Sequence, residues 1–200
     1  MAVKISVRDD VSNLTDKIRP AAEAVQRGDI VIFPTETVYG IAARADMPEA
    51  IQKIYTAKKR VESRPFAYHI GNFEMMLRIT GKLPENIFGI LKKYLPGPYT
   101  FLLNINGMKT GIRFPKCAVA QTFLNECDYP VMATSANISG EPSPTNINMT
   151  IAVQESAAYV IDAGKTSEKG ASTVIDLTTN PPTVVRQGSG KWGMKKLNIQ

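Results

Sequence analysis

The segment Pro34-Thr35-Glu36-Thr37-Val38-Tyr39-Gly40 follows directly on the apolar run Ile30-Val31-Ile32-Phe33. It places two hydroxyls, a carboxylate and a phenol beyond the carboxyl end of a buried strand, where open α/β sheets hold their ligands. The same residues also read as a polar turn with a half-buried Tyr39. A second group is Lys58-Lys59-Arg60, followed by Arg64-Pro65 and the only histidine, His69. Lys58 and Arg60 close a helical pattern, so both can point past its end. Arginine offers a planar, bidentate grip on phosphate oxygens and lysine a compact charge; basic residues at a helix end are equally favoured by the macrodipole. As phosphate ligands at an open helix end, each should accept alanine with a near-native melting temperature while activity is lost. Lys59 between them should tolerate alanine. Ser135 and Asn137 supply a rotating hydroxyl and an amide with two donors and an acceptor, suited to phosphate or ribose oxygens.

Other combinations do not reach a motif. A nucleophilic Ser135 would need the Gly-x-Ser-x-Gly elbow, which is missing, and His69 as its base. Gly164-Lys165-Thr166 imitates the end of a phosphate-binding loop, but Tyr159 stands where that loop needs glycine. Arg113 interrupts the apolar Gly111-Ile112-Arg113-Phe114-Pro115, where an unpaired charge is costly, so it requires an anionic partner. Cys117 and Cys127 are the only cysteines and match no zinc spacing; both are expected to be buried thiols.

The elements that must position these groups alternate in type. A helix is predicted over about 16–27, with Ile18, Ala22 and Val25 on one face and Gly28 as its stop; Pro20 is tolerable only near its first turn. A second helix starts at Pro48, with Ile51, Ile54 and Tyr55 inward and Lys58 to Arg60 at its end. Further helices are expected near 84–94 and 117–126. Extended segments are expected near 30–33, 66–70, 99–105, 111–114, 130–133, 158–162, 172–177 and 183–186. Such alternation argues for a layered α/β fold. No repeat or linker breaks the chain, so residues 1–200 are expected to form one domain.

Composition narrows the function classes. The 44% hydrophobic content is ordinary for a globular chain. No apolar stretch approaches the roughly 18 residues of a membrane span, and the amino terminus lacks a signal-peptide core. A cytoplasmic protein without membrane contact is expected. Lys and Arg number 24 against 18 Asp and Glu, a net charge of +6. Residues 51–70 carry Lys53, Lys58, Lys59, Arg60 and Arg64 against Glu62, and residues 181–200 carry Arg186, Lys191, Lys195 and Lys196 with no acid. Positive charge concentrated in two windows points to nucleotide phosphates or nucleic acid.

In fixed order, the Thr35 segment, Lys58-x-Arg60, His69, Leu95-Pro96-Gly97-Pro98-Tyr99-Thr100, the Arg113 segment and Ser135-Ala136-Asn137 with Pro142-Ser143-Pro144 resemble the YrdC family of threonylcarbamoyl-adenylate synthases. The resemblance runs from about residue 15 to 190 and is to the single-domain form. It implies a twisted, mostly open mixed sheet with flanking helices and a wide basic cleft. It also implies an enzyme, a nucleotidyltransferase joining L-threonine, bicarbonate or CO₂, and ATP into threonylcarbamoyl-adenylate with release of pyrophosphate. By resemblance Lys58 and Arg60 are the catalytic nucleotide-phosphate pair. Arg64, where many members carry Asn, joins Ser135, Asn137, Ser143 and Arg186 around the nucleotide. Thr35 and His69 face threonine, Arg113 its carboxylate or carbamate, and Ser172 another part of the substrate; position 171 is Ala where members often have Glu. Mg²⁺ is expected to come with ATP, with no metal ligands from the chain and no organic cofactor. The product would pass to tRNA-threonylcarbamoyl transferase proteins, which modify the adenosine beside the anticodon, and the basic tail could touch RNA. Two rival readings are an RNA-binding, ribosome-associated module without catalysis and a carbamoyl-adenylate enzyme of the hydrogenase-maturation type. The first lacks the paired aromatics of RNA-binding sheets; the second lacks its zinc-binding cysteine pairs.

Overall fold

A computed structural model describes residues 1–8, 12–60, 66–168 and 170–193. The expectations placed on Arg64, Lys195 and Lys196 lie outside the described residues. In chain order the elements are β1 Val3–Ser6, α1 Leu14–Gln26, β2 Val31–Phe33, β3 Gly40–Arg44, α2 Pro48–Lys58, β4 Ala67–His69, α3 Phe73–Thr80 and α4 Glu85–Tyr94. They continue with β5 Tyr99–Ile105, β6 Met108–Arg113, α5 Ala118–Glu126, β7 Val131–Ser135, a 3₁₀ turn Ile147–Thr150 leading into α6 Ile151–Gln154, β8 Tyr159–Asp162, β9 Thr173–Asp176 and β10 Thr183–Arg186.

All described strands join one open mixed sheet in the order β1-β8-β2-β3-β7-β4-β6-β5-β9-β10. The expected α/β class, with a mixed sheet and flanking helices, is what the chain adopts. Each strand shows two faces, and the packing of those faces decides where a ligand can go. On one face Val31, Phe33, Ala42 and Val131 pack under α1 and α5, through Ile18, Val25, Phe123 and Leu124. On the other face Ile30, Ile32, Ile41 and Ala43 pack under α2, through Ala50 and Ile54. Further along that second face Phe101, Leu103, Ile112 and Ile175 pack under α3 and α4, through Met75, Met76, Ile90 and Leu91. The first face of β4, β6, β5 and β9 has no helix in these packing groups. Its residues are mostly small or polar, Ala67, His69, Gly111, Arg113 and Thr100, with Leu102 and Val174 the larger apolar ones. The sheet is therefore two helix layers deep on one half and one layer deep on the other.

Several local expectations change. Helix α1 starts at Leu14, so Pro20 falls inside it rather than in its first turn. Both Pro20 and Asp16, whose carbonyl loses its bond, are exposed, so water can replace the missing N–H donor. Gly28 ends that helix at φ +86°, a left-handed conformation that glycine adopts without strain. Ile51 and Tyr55 are only partly buried against α2's core neighbours. Cys127 is buried, but Cys117 is partly exposed, because it caps the start of α5 at the rim of a chamber rather than inside the core. Strands β1 and β3 and helix α3 were not anticipated. β1, Val3-Lys4-Ile5-Ser6, alternates apolar and polar over only four residues, too short a run to mark a strand, and β3 is Gly-Ile-Ala-Ala-Arg, too small-residue-rich to read as one.

Candidate functional site

The uncovered half-face forms a cavity of about 500 Å³. It runs over β7, β4, β6, β5 and β9, four inter-strand gaps or about 19 Å at normal sheet spacing. Ala133, Ala67 and Gly111 lie side by side across three strands and make a floor of small residues. A Cβ on Gly111 would approach the Ala67 Cβ to 2.9 Å, so the floor cannot be raised without displacing its neighbour. At the β7 side stand Arg60, Thr134, Ser135 and Ser143; in the middle Thr35, His69 and Arg113; toward β9 Lys109, Thr100, Ser172 and Arg186. The lining holds four cations and no Asp or Glu among the described residues. An anionic ligand is the complement of such a surface.

Thr35 is held in place by its own turn. Its hydroxyl donates to Val38 O at 2.6 Å and accepts from the Thr37 and Val38 amides, both at 3.2 Å. Arg113 also reaches it, at 3.2 Å. The hydroxyl proton is thus spent within the loop, as in Ser/Thr-stabilised turns, while the side chain still lines the cavity. Tyr39 is fully buried rather than half-buried: its hydroxyl donates to Gly164 O at 2.7 Å and accepts from Ala163 N at 3.1 Å. Burial pushes the phenol up to about 12.

The anionic partner that Arg113 requires is on the chain itself. Its Nη2 lies 3.4 Å from Glu36 Oε1 and donates to Thr37 Oγ1 at 2.5 Å. Both side chains are only 6% exposed. Burial lowers the guanidinium's affinity for its proton, the Glu36 charge opposes that, and Arg186 reinforces it. Glu36 Oε2 and Arg113 Nε are buried without a hydrogen-bond partner among the described residues.

His69 pairs with Arg113 across β4 and β6 and meets the Phe33 ring edge-on at 5.9 Å. Burial, with Arg113 adding, pulls its imidazole down to about 3. It is neutral at pH 7. Nδ1 lies 3.1 Å from Ala67 O, an atom that only accepts, so Nδ1 carries the proton and Nε2 is left as an acceptor.

Lys58 and Arg60 separate. Lys59 takes a left-handed conformation, φ 49°, at the end of α2 and turns the chain between them. Lys58 is 1% exposed and does not line the cavity. Its ammonium donates to the main-chain carbonyls of Ser135 and of Asn137, the latter at 2.6 Å. Burial, with Arg60 adding, draws it down to about 8, against two carbonyl dipoles that favour the charged form. Arg60 stays in the cavity, donating to Thr134 Oγ1 at 3.1 Å with its guanidinium 5.0 Å from the Phe66 ring centre. Asn137 also lies outside the cavity lining; its Nδ2 donates to Ile138 O and Glu141 O at 2.9 and 2.8 Å and closes its own loop.

On the far side Arg186 donates to Ser172 O at 2.8 Å and to Ser172 Oγ at 3.2 Å, and Ser172 Oγ shares a 2.9 Å hydrogen bond with Thr100. Burial lowers the Arg186 guanidinium. Lys109, 2.7 Å from Asp176, and Thr100 line the cavity but were not singled out from sequence. The signal was present: Lys109, Gly111 and Arg113 alternate along one strand, so a ligand role for Arg113 implicates Lys109 on the same face.

A family model described as telomere recombination, Sua5_yciO_yrdC, matches residues 23–188. The chain belongs to this family. Among relatives, the threonylcarbamoyl-AMP synthase of Pyrococcus abyssi is 36% identical over 199 residues, covering 94% of this chain and 58% of the relative. That of Bacillus subtilis is 33% identical over 196 residues, covering 92% and 57%. A crystal structure of P. abyssi Sua5 complexed with L-threonine superposes with a TM-score of 0.84 at 34% identity, covering 94% of this chain and 57% of that one. The chain spans a little over half the length of these family members. No described helix is long and apolar enough to cross a membrane.

Proposed function

We propose that residues 1–200 act as one YrdC-like domain, an L-threonylcarbamoyladenylate synthase that consumes L-threonine, bicarbonate or CO₂, and ATP and releases pyrophosphate. The observation that supports this most strongly is the acid-free cavity with cations at both ends and a neutral imidazole in the middle. Its length accommodates a nucleotide and an amino acid end to end. A pure phosphate grip would not need His69, whose free Nε2 suits an ammonium, amine or hydroxyl donor.

In this reading the triphosphate lies toward the β7 end, where Arg60 offsets the charge that builds on the leaving pyrophosphate, while Arg186 contacts the nucleotide from the β9 end. Ser135 and Ser143 orient the nucleotide, and Lys58 holds the Ser135–Asn137 main chain that presents Ser135. Threonine lies near Thr35, His69 and Arg113. Its amine adds to CO₂ and loses a proton, giving a carbamate; a carbamate oxygen then attacks the α-phosphorus as pyrophosphate departs. Holding three reactants in line is worth on the order of 7–11 kcal/mol in favourable cases, which suits a cavity with no carboxylate base in its lining. For the same reason Mg²⁺ is proposed to ride on the triphosphate rather than on protein carboxylates. The product would be handed to a transferase acting on tRNA.

The test is incubation with ATP, labelled bicarbonate and a panel of amino acids. Threonine-dependent formation of an AMP-linked product with stoichiometric pyrophosphate is the expected result. Pyrophosphate release indifferent to the amino acid would overturn the reading.

A further inference from the structure

The middle of the cavity differs from its ends. Arg113 is the lining cation that stands there, and the carboxylate paired with it, Glu36, lies behind the lining rather than in it. The guanidinium divides its nitrogens. Nη2 meets Glu36 Oε1 at 3.4 Å, Thr37 Oγ1 at 2.5 Å and Thr35 Oγ1 at 3.2 Å. Nε is buried without a partner among the described residues. Nη1 makes no hydrogen bond to a described residue and is not one of the buried atoms, so it is the nitrogen open to the cavity.

The charge of this middle section therefore sums to zero. Glu36 cancels Arg113 from a position only 6% exposed, and Thr35 is uncharged. His69, beside Arg113 across the strands, is a neutral imidazole with Nε2 left as an acceptor. A patch without net charge that still offers one cationic N–H donor and one imidazole acceptor is the complement of a zwitterion. Without Glu36 the same patch would carry a full positive charge, between Arg60 and Arg186, and would favour an anion.

We propose that Glu36 is a specificity-determining residue acting through Arg113. It holds the guanidinium by Nη2 and cancels its charge, so that the middle of the cavity selects a net-neutral amino acid over an anion of the same shape. This rests on the synthase reading above, which puts threonine at Thr35, His69 and Arg113. Glu36 is a positioning residue there and touches no ligand.

Three ligands of one size separate charge from shape. L-Threonine is net neutral, its analogue with a hydroxyl in place of the amine is an anion, and L-threoninamide is a cation at about pH 6. Calorimetry on the full chain without ATP reads the binding of each, beside ATP affinity and threonine-dependent pyrophosphate release. Wild type should bind threonine tightest of the three. Glu36→Gln keeps an oxygen to accept from Nη2 but frees the positive charge. It should tighten the hydroxy acid and weaken threoninamide by about tenfold each, the scale of one unit charge at the effective dielectric of a partly exposed site. ATP affinity should not fall, and Glu36→Asp should return the wild-type order. A hydroxy acid that binds wild type as tightly as threonine would overturn the assignment without recourse to any variant. So would a shift of all three ligands in one direction in Glu36→Gln, the mark of a merely structural carboxylate; product formation by wild type would then leave the synthase standing. Opposite shifts in a chain whose wild type releases no threonine-dependent pyrophosphate would keep the role of Glu36 and sink the synthase reading.

Discussion

Replacing Lys58 by methionine keeps the aliphatic stem and removes the ammonium, and the structure makes its consequence opposite to that of a solvent-facing phosphate ligand. The ammonium donates to two main-chain carbonyls, those of Ser135 and Asn137, from a side chain 1% exposed. Hydrogen bonds from a charged donor are worth about 1.5–3 kcal/mol each, and the two together gross about 3–6. Part of this is returned, because methionine carries no desolvation cost in a site that already draws the lysine down to about 8. A net loss of about 2–4 kcal/mol remains. For a chain of this size each kcal/mol moves Tm by about 2–4 °C, so Lys58→Met should melt about 5–15 °C lower. Arg60→Ala should move Tm by only a few degrees, since its guanidinium stands in the cavity, bonded to the Thr134 hydroxyl and packed on the Phe66 ring, and water can replace it there. Differential scanning calorimetry reads the first effect and isothermal titration with ATP the second. Arg60→Ala is expected to lose most ATP affinity at near-native stability, and Lys59→Ala to resemble wild type in both. Should Lys58→Met melt within about 2 °C of wild type yet lose ATP binding, the ammonium is available to ligand and the carbonyl clamp is wrong.

His69, as the only histidine, can be followed by NMR: its ring should stay neutral as pH falls well below 6, with no inflection near 6.5. Its folded pKa of about 3 lies below the unfolded value of about 6.5, so the unfolded chain binds the extra proton and stability should fall as pH drops from 6.5 toward 3. That slope, measured by urea unfolding across pH, should flatten in His69→Asn; an unchanged slope refutes the buried neutral imidazole. Arg113→Met should cost about 3–5 kcal/mol by stranding the Glu36 carboxylate in the interior, and Glu36→Gln/Arg113→Met should recover much of it in denaturant titrations. A double variant no more stable than Arg113→Met would mean the two charges are not coupled. Thr35→Val should lose the Val38 hydrogen bond, lower stability by about 1–3 kcal/mol and weaken threonine more than ATP in calorimetry; equal weakening would make Thr35 a turn residue alone.

Much of this was readable along the chain because it depends on local periodicity and on cost. The apolar run Ile30–Phe33, the Pro48 start of α2 and the Gly28 stop of α1 are properties of a few neighbouring residues, and the structure keeps them. Arg113 in an apolar strand demanded an anion whatever the fold, because a lone buried charge is too expensive. The family itself followed from the order of short motifs, which survives without knowledge of their arrangement. The partner that satisfies Arg113 was not readable: Glu36 lies 77 residues away and meets it only when β6 and the loop after β2 close on each other. Nor was the parting of Lys58 from Arg60, which turns on one left-handed residue, Lys59, whose side chain has no preference that announces it. The cavity was the least legible feature. Alternation shows that Lys109, Gly111 and Arg113 share a face, but not that α1 and α5 leave that face bare. Which face of a sheet a helix covers is settled by packing between segments far apart in sequence, and that packing left a hollow of about 500 Å³ over five strands.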